Sequence, residues 1–250
     1  MSFNIKLNIP AGGIFSKYMF GVQNATAINE DFNAIHFNNV DNRFGDESLN
    51  PFDFVMNQIT DTTYKIYDAT NRGTYTNTNQ INNSPNLNKY RKVVSKIKFT
   101  NELEELVNDN IKKLGIDENT IGVHVRLTDM NIIHKNDYGI INIDNYLNSI
   151  KTNINDNNTL FIASDNHQSI EKIKDLYGNR VKYLPNLLRG NSENENTLNL
   201  QLDNAKDKRL WVEAFLEMLL ISKCSKIICR TSNLANAAII HSNNSKIIRV

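Results

Sequence analysis

The pattern of apolar and polar positions becomes regular from about residue 100 onward. Short apolar, β-branched runs alternate there with longer stretches in which apolar residues recur every three or four positions, as on one face of a helix. The predicted strands cover residues 121–126, 159–163, 181–184, 226–229 and 246–250, and the predicted helices between them cover 101–114, 143–154, 170–176, 210–219 and 234–240. Strands separated by helices of this length predict a parallel sheet covered on both faces.

The ends of several predicted helices carry the residues that begin and end helices. Asn101 with Glu104 three residues later forms a candidate N-terminal cap, and Gly115 and Gly178 follow two helical stripes where a C-terminal glycine is expected. Either Asp165 or Asn166 is placed to cap the helix that begins near Gln168. These local signals support the alternation of strands and helices.

The first hundred residues have a weaker pattern. Residues 4–9 predict a strand, a tight loop at 10–13 leads into a helix from Ser16, and the polar segment 70–90 predicts an exposed loop. We expect a smaller α/β domain over residues 1–99 that faces the larger α/β domain over residues 100–250 across a cleft.

Composition narrows the classes of protein. About one residue in six is Asn, which we attribute to an AT-rich genome, and the net charge of +1 gives no drive towards nucleic acid. No apolar run is long enough to span a membrane, and the first residues lack the features of a signal peptide. Cys224 and Cys229 are not spaced as metal ligands and predict buried free thiols. We therefore expect a cytoplasmic protein without a membrane span.

Polar side chains follow three of the predicted strands directly. Arg126 follows the first strand of the regular part, Ser164 and Asp165 follow the next, and Arg230, Thr231 and Ser232 follow a later one. The ligand site of an open parallel sheet lies beyond the carboxyl ends of its strands. These groups therefore predict one ligand site at one edge of the sheet.

The residues of these strand ends also resemble a known family. The run Ile-Gly-Val-His-Val-Arg-Leu-Thr-Asp at 121–129 resembles the His-x-Arg motif of α1,2-, α1,6- and protein O-fucosyltransferases, and most closely the α1,6 type. The run Leu-Phe-Ile-Ala-Ser-Asp at 160–165 is similar to the family's strand that ends in Thr/Ser-Asp. The run at 225–233 is similar to its closing strand and Ser/Thr-rich loop. The resemblance covers roughly residues 100–250.

The resemblance implies a GT-B-like fold with two Rossmann-like α/β domains and the donor nucleotide sugar in the C-terminal domain. It implies an inverting glycosyltransferase that needs no metal or other cofactor. Such an enzyme uses GDP-fucose as the donor and a glycan as the acceptor. A planar guanidinium matches phosphate oxygens, so Arg126 would stabilise the leaving diphosphate. The implied donor-binding residues are His124, Arg126, Ser164, Asp165, Thr231, Ser232 and Asn233. Gly12 and Gly13 are similar to a reduced form of the family's N-terminal glycine-rich loop.

Individual roles leave alternatives open. His124 alternates with Arg126 on the strand and is either a phosphate contact or a structural histidine. Asp129 and His134 follow the motif and are candidates for the general base that deprotonates the acceptor hydroxyl. Leu127 and Met130 replace basic residues of the family pattern, so fewer cations are available to the diphosphate.

Other classes of enzyme lack their motifs here. The sequence contains no Asp-x-Asp for a metal-dependent transferase, no Gly-x-Gly-x-x-Gly for a dinucleotide enzyme and no Gly-x-Ser-x-Gly for a hydrolase. Two alternatives to a fucosyltransferase remain: a nucleotide- or sugar-binding protein with a depleted site, and a transferase with another nucleotide-sugar donor. The composition suits a virus, a phage or a bacterium that glycosylates outside a secretory pathway.

Overall fold

The computed structural model describes residues 3–9, 13–28, 31–39, 50–57, 64–68, 81, 84–127, 140, 142–187, 189–190, 207–243 and 245–250. The strands are β1 (Phe3–Ile9), β2 (Phe32–Asn39), β3 (Tyr64–Asp68), β4 (Thr120–Val125), β5 (Thr159–Ser164), β6 (Val181–Lys182), β7 (Lys226–Cys229) and β8 (Lys246–Arg249). The helices are α1 (Ile14–Ala27), α2 (Leu87–Val94), α3 (Asn101–Leu114), α4 (Ile143–Asn153), α5 (His167–Tyr177), α6 (Lys208–Ser222) and α7 (Asn233–His241). Short 3₁₀ turns cover Pro51–Phe54 and Gly178–Arg180.

The strands form two parallel sheets. The first has the order β2-β1-β3, and the second has the order β6-β5-β4-β7-β8. In the second sheet β4 pairs in parallel with β5 on one side and with β7 on the other. The chain therefore builds outward from β4 to β6 and then returns to add β7 and β8. The α/β class with parallel sheets is confirmed, and the strand order reverses between β4 and β7, where such sheets bind ligands.

One helix cap is observed at a different residue from the one expected, and for a second helix one of two candidates is the cap. Thr100, not Asn101, caps α3: its backbone is extended, and its hydroxyl accepts a hydrogen bond from the backbone N–H of Leu103. Asn166 caps α5 by accepting from the backbone N–H of Ser169 at 2.9 Å, so Asp165 is not the cap. Gly115, with a φ of 63°, ends α3 in the left-handed conformation that glycine adopts without strain.

Several boundaries also differ from the sequence prediction. Helix α1 begins at Ile14 rather than Ser16, since Gly13 already stands at its N-terminal cap position. Strand β6 ends at Lys182, because only two of its residues pair with β5. Residues 87–90 of the expected loop belong to α2, and residues 70–80, 82 and 83 of that loop lie outside the described residues.

Helices α6 and α7 lie between the two sheets and contribute to one apolar core with both. Helix α1 packs on α7, and the Pro51–Phe54 turn packs on α6. Ring centroids lie 5.1 Å apart for Phe15 and Phe215 and 5.2 Å apart for Phe52 and Trp211. Each pair therefore joins the segment before residue 100 to the segment after it. The other face of the second sheet packs on α4 and α5 in a separate core. The division into domains at residue 99 stays a prediction, because one core contains residues from both sides of it.

Tyr18 and His241 form a hydrogen bond inside this shared core. The hydroxyl of Tyr18 in α1 lies 2.5 Å from Nε2 of His241 in α7; Tyr18 is fully buried and His241 is half-buried. Burial lowers the pKa of His241 to about 3, and the positive charge of Lys223 lowers it further in the same direction. The imidazole is therefore neutral and joins α7 to α1 as an uncharged hydrogen-bond partner of Tyr18.

Candidate functional site

Arg126 directly follows β4 at the carboxyl edge of the second sheet. Its backbone N–H donates to the hydroxyl of Tyr146 at 3.3 Å, and its side-chain Nε lies 3.4 Å from Oδ2 of Asp165. About a fifth of the side chain is exposed, at 20 %. The guanidinium is thus held on a short, braced turn and still reaches the edge where ligands of such sheets bind.

Asp165 connects the ends of β4 and β5. One carboxylate oxygen lies next to Arg126, and the other accepts from the backbone N–H of Leu127 at 3.4 Å. Its side chain is 8 % exposed. Ser164 is buried, and its hydroxyl accepts from the backbone N–H of Asn166 at 3.1 Å within the same turn. In this structure Asp165 orients Arg126, and Ser164 shapes the turn that carries Asp165.

His124 lies inside β4 and is 3 % exposed. Its Nδ1 is 3.3 Å from the hydroxyl of Ser232, which also accepts from the backbone N–H of Ala235 at the start of α7. Burial lowers the pKa of His124 to about 3, and the charges of Arg126 and Arg249 contribute in the same direction. A neutral, buried ring that supports the cap of α7 fits the structural role among the two that the sequence leaves open.

The first turns of α7 and α1 meet beside this group. Ser232 caps α7, and the side-chain amide of Asn233 donates to the hydroxyl of Ser16 in α1 at 2.9 Å. Thr231, half-buried, precedes the cap. Free backbone N–H groups at the start of a helix attract anions. Two helix starts and the Arg126 guanidinium therefore lie along neighbouring elements on the same side of the molecule.

Tyr146 and Arg230 also belong to this region; the strand-end pattern points to Arg230, whereas Tyr146 is absent from the residues that the sequence selects. Tyr146 of α4 is fully buried, and burial raises the pKa of its hydroxyl. Arg230 follows β7 directly, is 2 % exposed, and lies near enough for its positive charge to act on Tyr146. Tyr146 reads in the sequence as one more apolar position of a helix, so only its contact with Arg126 reveals a second role.

Several expected site residues fall elsewhere. Gly12, Asp129 and His134 lie outside the described residues. Gly13 is exposed at the start of α1 with a φ of −69°, a conformation that any residue adopts, and a Cβ added there would meet no atom within 4 Å. Leu127 is fully buried in the core with α4 and α5. A basic side chain is absent at position 127 because that position faces the core rather than the site edge.

Neither a metal-binding cluster nor a membrane-spanning helix is found among the described residues. Among those residues, no group of three or more His, Cys, Asp and Glu side chains is arranged to hold a metal ion. Within the same residues, no helix combines the length and the apolar character that crossing a membrane requires.

The fold is similar to that of the GT-B fucosyltransferases. The chain superposes on the α-1,6-fucosyltransferase NodZ soaked with GDP-fucose with a TM-score of 0.57 at 12 % identity, covering 97 % of this chain and 93 % of that one. For NodZ from Bradyrhizobium the TM-score is 0.56 at 11 % identity, with 95 % and 92 % covered. POFUT1 in complex with GDP-fucose gives 0.51 at 8 % identity, with 98 % and 97 % covered. No family model and no curated protein sequence matches the chain.

At these identities the likeness establishes a glycosyltransferase-like fold. It agrees with the fold that the strand-end motifs imply. The chemistry has to be argued from the residues of this chain.

Proposed function

We propose that this chain is an inverting, metal-independent glycosyltransferase that transfers fucose from GDP-fucose to a hydroxyl of a glycan. The observation that carries the proposal is the position of Arg126 and the first turn of α7. They follow β4 and β7, the strands between which the sheet order reverses. Of the similar structures, NodZ was soaked with GDP-fucose and POFUT1 is in complex with GDP-fucose, which favours a nucleotide-sugar donor over other phosphate ligands.

The proposed reaction is a single displacement. The acceptor oxygen attacks the anomeric carbon of the donor sugar, and the bond from that carbon to the β-phosphate oxygen breaks. The electron pair leaves with the phosphate, where the Arg126 guanidinium and the N–H groups of α7 stabilise the new charge. The acceptor proton passes to a general base, for which Asp129 and His134 remain our candidates. No metal or other cofactor is assigned a step.

Further donor contacts are proposed for residues around this pair. Thr231, Ser232 and Asn233 would receive the diphosphate at the start of α7, and Asp165 with Ser164 would lie nearer the nucleoside. His124 would act through Ser232. The acceptor would bind on the side of the first sheet, where α1 reaches α7.

A nucleotide panel tests the proposal directly. We would measure thermal unfolding with GDP, UDP, CDP, ADP and GDP-fucose in EDTA, for the wild type and for Arg126→Ala. We expect GDP and GDP-fucose to stabilise the wild type, and we expect Arg126→Ala to weaken their binding about ten- to a hundredfold, the value of charged hydrogen bonds. The matched control is Arg180→Ala, since Arg180 donates to the backbone carbonyl of Asn158 ahead of β5, at the opposite edge of the sheet.

A binding protein without activity is the second candidate. The burial of Leu127 favours it, because a second cation is missing directly after Arg126. Release of fucose or its transfer from GDP-fucose separates the two candidates: a binding protein is stabilised by GDP and turns nothing over. If no nucleotide shifts the unfolding temperature of the wild type, the transferase proposal is wrong.

A further inference from the structure

A second arginine lies beside Asp165, although nothing in the sequence motifs points to it. Arg189 comes after β6, and its side chain is 5 % exposed. Its Nη2 donates to Oε1 of Glu217 at 2.5 Å, and the Glu217 side chain on α6 is 11 % exposed. A buried cation and a buried anion thus form a pair on the inner side of the site.

The backbone next to Arg189 is tied to the end of β5. The N–H of Gly190 donates to the carbonyl of Asp165 at 2.8 Å, and the N–H of His167 donates to the carbonyl of Gly190 at 3.0 Å. This two-bond bridge places Arg189 next to Asp165. Burial raises the pKa of Glu217 to about 7; Arg189 opposes the rise, and the negative charges of Glu213 and Asp165 add to it. The charge of Asp165 therefore acts on the Arg189–Glu217 pair.

Arg189 has hydrogen-bonding capacity that its described neighbours do not use. Its Nε and Nη1 are both buried, and neither has an acceptor among the residues that the structure describes. Nδ2 of Asn166, across the same bridge, is in the same condition. Leaving a buried charged donor unpaired costs about 1–3 kcal/mol or more, so unpaired donors of this kind are rare in native proteins. Donors in this position are typical of a site where a ligand brings the acceptors.

The order of groups along the sheet edge indicates which part of a nucleotide comes here. The start of α7 follows β7, Arg126 follows β4, and Arg189 is tied to the end of β5. Neighbouring strands are about 4.8 Å apart, so Arg189 lies roughly two strand spacings from the start of α7. A nucleotide with its phosphates at α7 and Arg126 would bring its base to Arg189 if it lay along the edge towards β5. Guanidinium donors there match a base that presents carbonyl oxygens, such as guanine, rather than the amino group of adenine.

We propose that Arg189 determines the nucleobase specificity of the donor site by donating hydrogen bonds from its guanidinium to a carbonyl oxygen of the base, while Glu217 holds the guanidinium in place. This inference rests on the proposed function, because it requires a nucleotide at the edge of β4 and β7. It adds a contact that comes from the loop after β6 and from none of the motifs. Glu217 is a positioning residue, since it acts through Arg189.

The test compares two purine nucleotides that differ at position 6. Inosine diphosphate carries a carbonyl there and adenosine diphosphate an amino group, and neither has a 2-amino group. We would measure both affinities by calorimetry for the wild type and for the double variant Arg189→Met with Glu217→Met. Removing both charges avoids an unpaired buried charge and so favours folding. We expect the wild type to prefer inosine diphosphate about tenfold or more, and the double variant to reduce that preference to about threefold or less.

Two further variants make each result decisive. Arg126→Ala should weaken both nucleotides alike and keep their ratio, because it removes a phosphate contact. If the double variant does not fold, Arg189→Gln provides the same comparison, since a neutral glutamine can still pair with Glu217. An unchanged ratio in variants that bind nucleotide overturns the inference and leaves the proposed function standing. A wild type that binds GDP but neither of these nucleotides overturns the inference alone, and one that binds none of the three overturns both.

Discussion

The half-buried histidine at the end of α7, where it meets α1, predicts a specific form of acid sensitivity. His241 is neutral in the folded protein, where burial lowers its pKa to about 3, but its ordinary pKa in the unfolded chain is 6.5. Between those values the unfolded state binds a proton that the folded state does not bind. Stability contributed by the neutral ring is therefore fully present above the unfolded pKa and is lost as the pH falls below it.

The size of the effect follows from the two pKa values. One pKa unit corresponds to about 1.4 kcal/mol, so lowering the pH to about 5 removes about 2 kcal/mol of unfolding free energy through His241 alone. His124 has the same direction and a similarly low pKa of about 3. Together the two rings would remove about 4 kcal/mol at that pH, a large part of the roughly 5–15 kcal/mol that stabilises a typical domain.

Urea unfolding at about pH 7.5 and about pH 5 measures this loss. In His241→Gln the amide keeps a polar partner for the Tyr18 hydroxyl and does not titrate, so we expect the loss between the two pH values to shrink by about 2 kcal/mol. Carboxylates titrate in both proteins and cancel in the comparison. His167→Gln is the matched control, since the His167 side chain is 53 % exposed and hydrated. If His241→Gln loses as much stability as the wild type, His241 is not held neutral in the core and the reasoning is refuted.

The remaining predictions concern packing, capping and thiol reactivity. Gly21→Ala should destabilise the protein by about 1–2 kcal/mol in urea unfolding, because overpacking outweighs the helix propensity of alanine: an added Cβ would lie 2.9 Å from ring atoms of Phe37. Thr100→Ala should cost about 1 kcal/mol and Thr100→Ser much less, since serine keeps the cap; equal costs would contradict the cap. Burial raises the pKa of Cys224 to about 12 and also raises that of Cys229, so both thiols should react with a thiol reagent only after unfolding.

The candidate site divides into residues that the chain order could predict and residues that it could not. Arg126 and Asp165 follow predicted strands directly, and parallel strands bring their carboxyl ends to one edge, so their proximity follows from sequence. The protonation state of His124 does not follow from the sequence in the same way. Its position in the strand was predicted, but its neutrality depends on how deeply α7 and the neighbouring cations enclose it.

The difference in caps has a similar origin. Asn101 and Thr100 are both good capping residues, and so are Asp165 and Asn166, so composition alone leaves each pair open. The choice is made by which residue has extended backbone angles when the preceding segment is packed, and in α3 that residue is Thr100. A local signal therefore located these helix starts to within one residue, and packing selected the residue.

Periodicity and strand ends are local properties of the chain, so the alternation of strands and helices, the parallel sheet and the edge at which polar residues collect could all be predicted from the sequence. Tertiary structure decided that Tyr146 braces Arg126 and that Arg189 meets Glu217 beside Asp165. It also decided that α6 and α7 join both sheets in one core. These are contacts between residues distant in the chain, and burial, charge and hydrogen-bond partners exist only once those residues have been brought together.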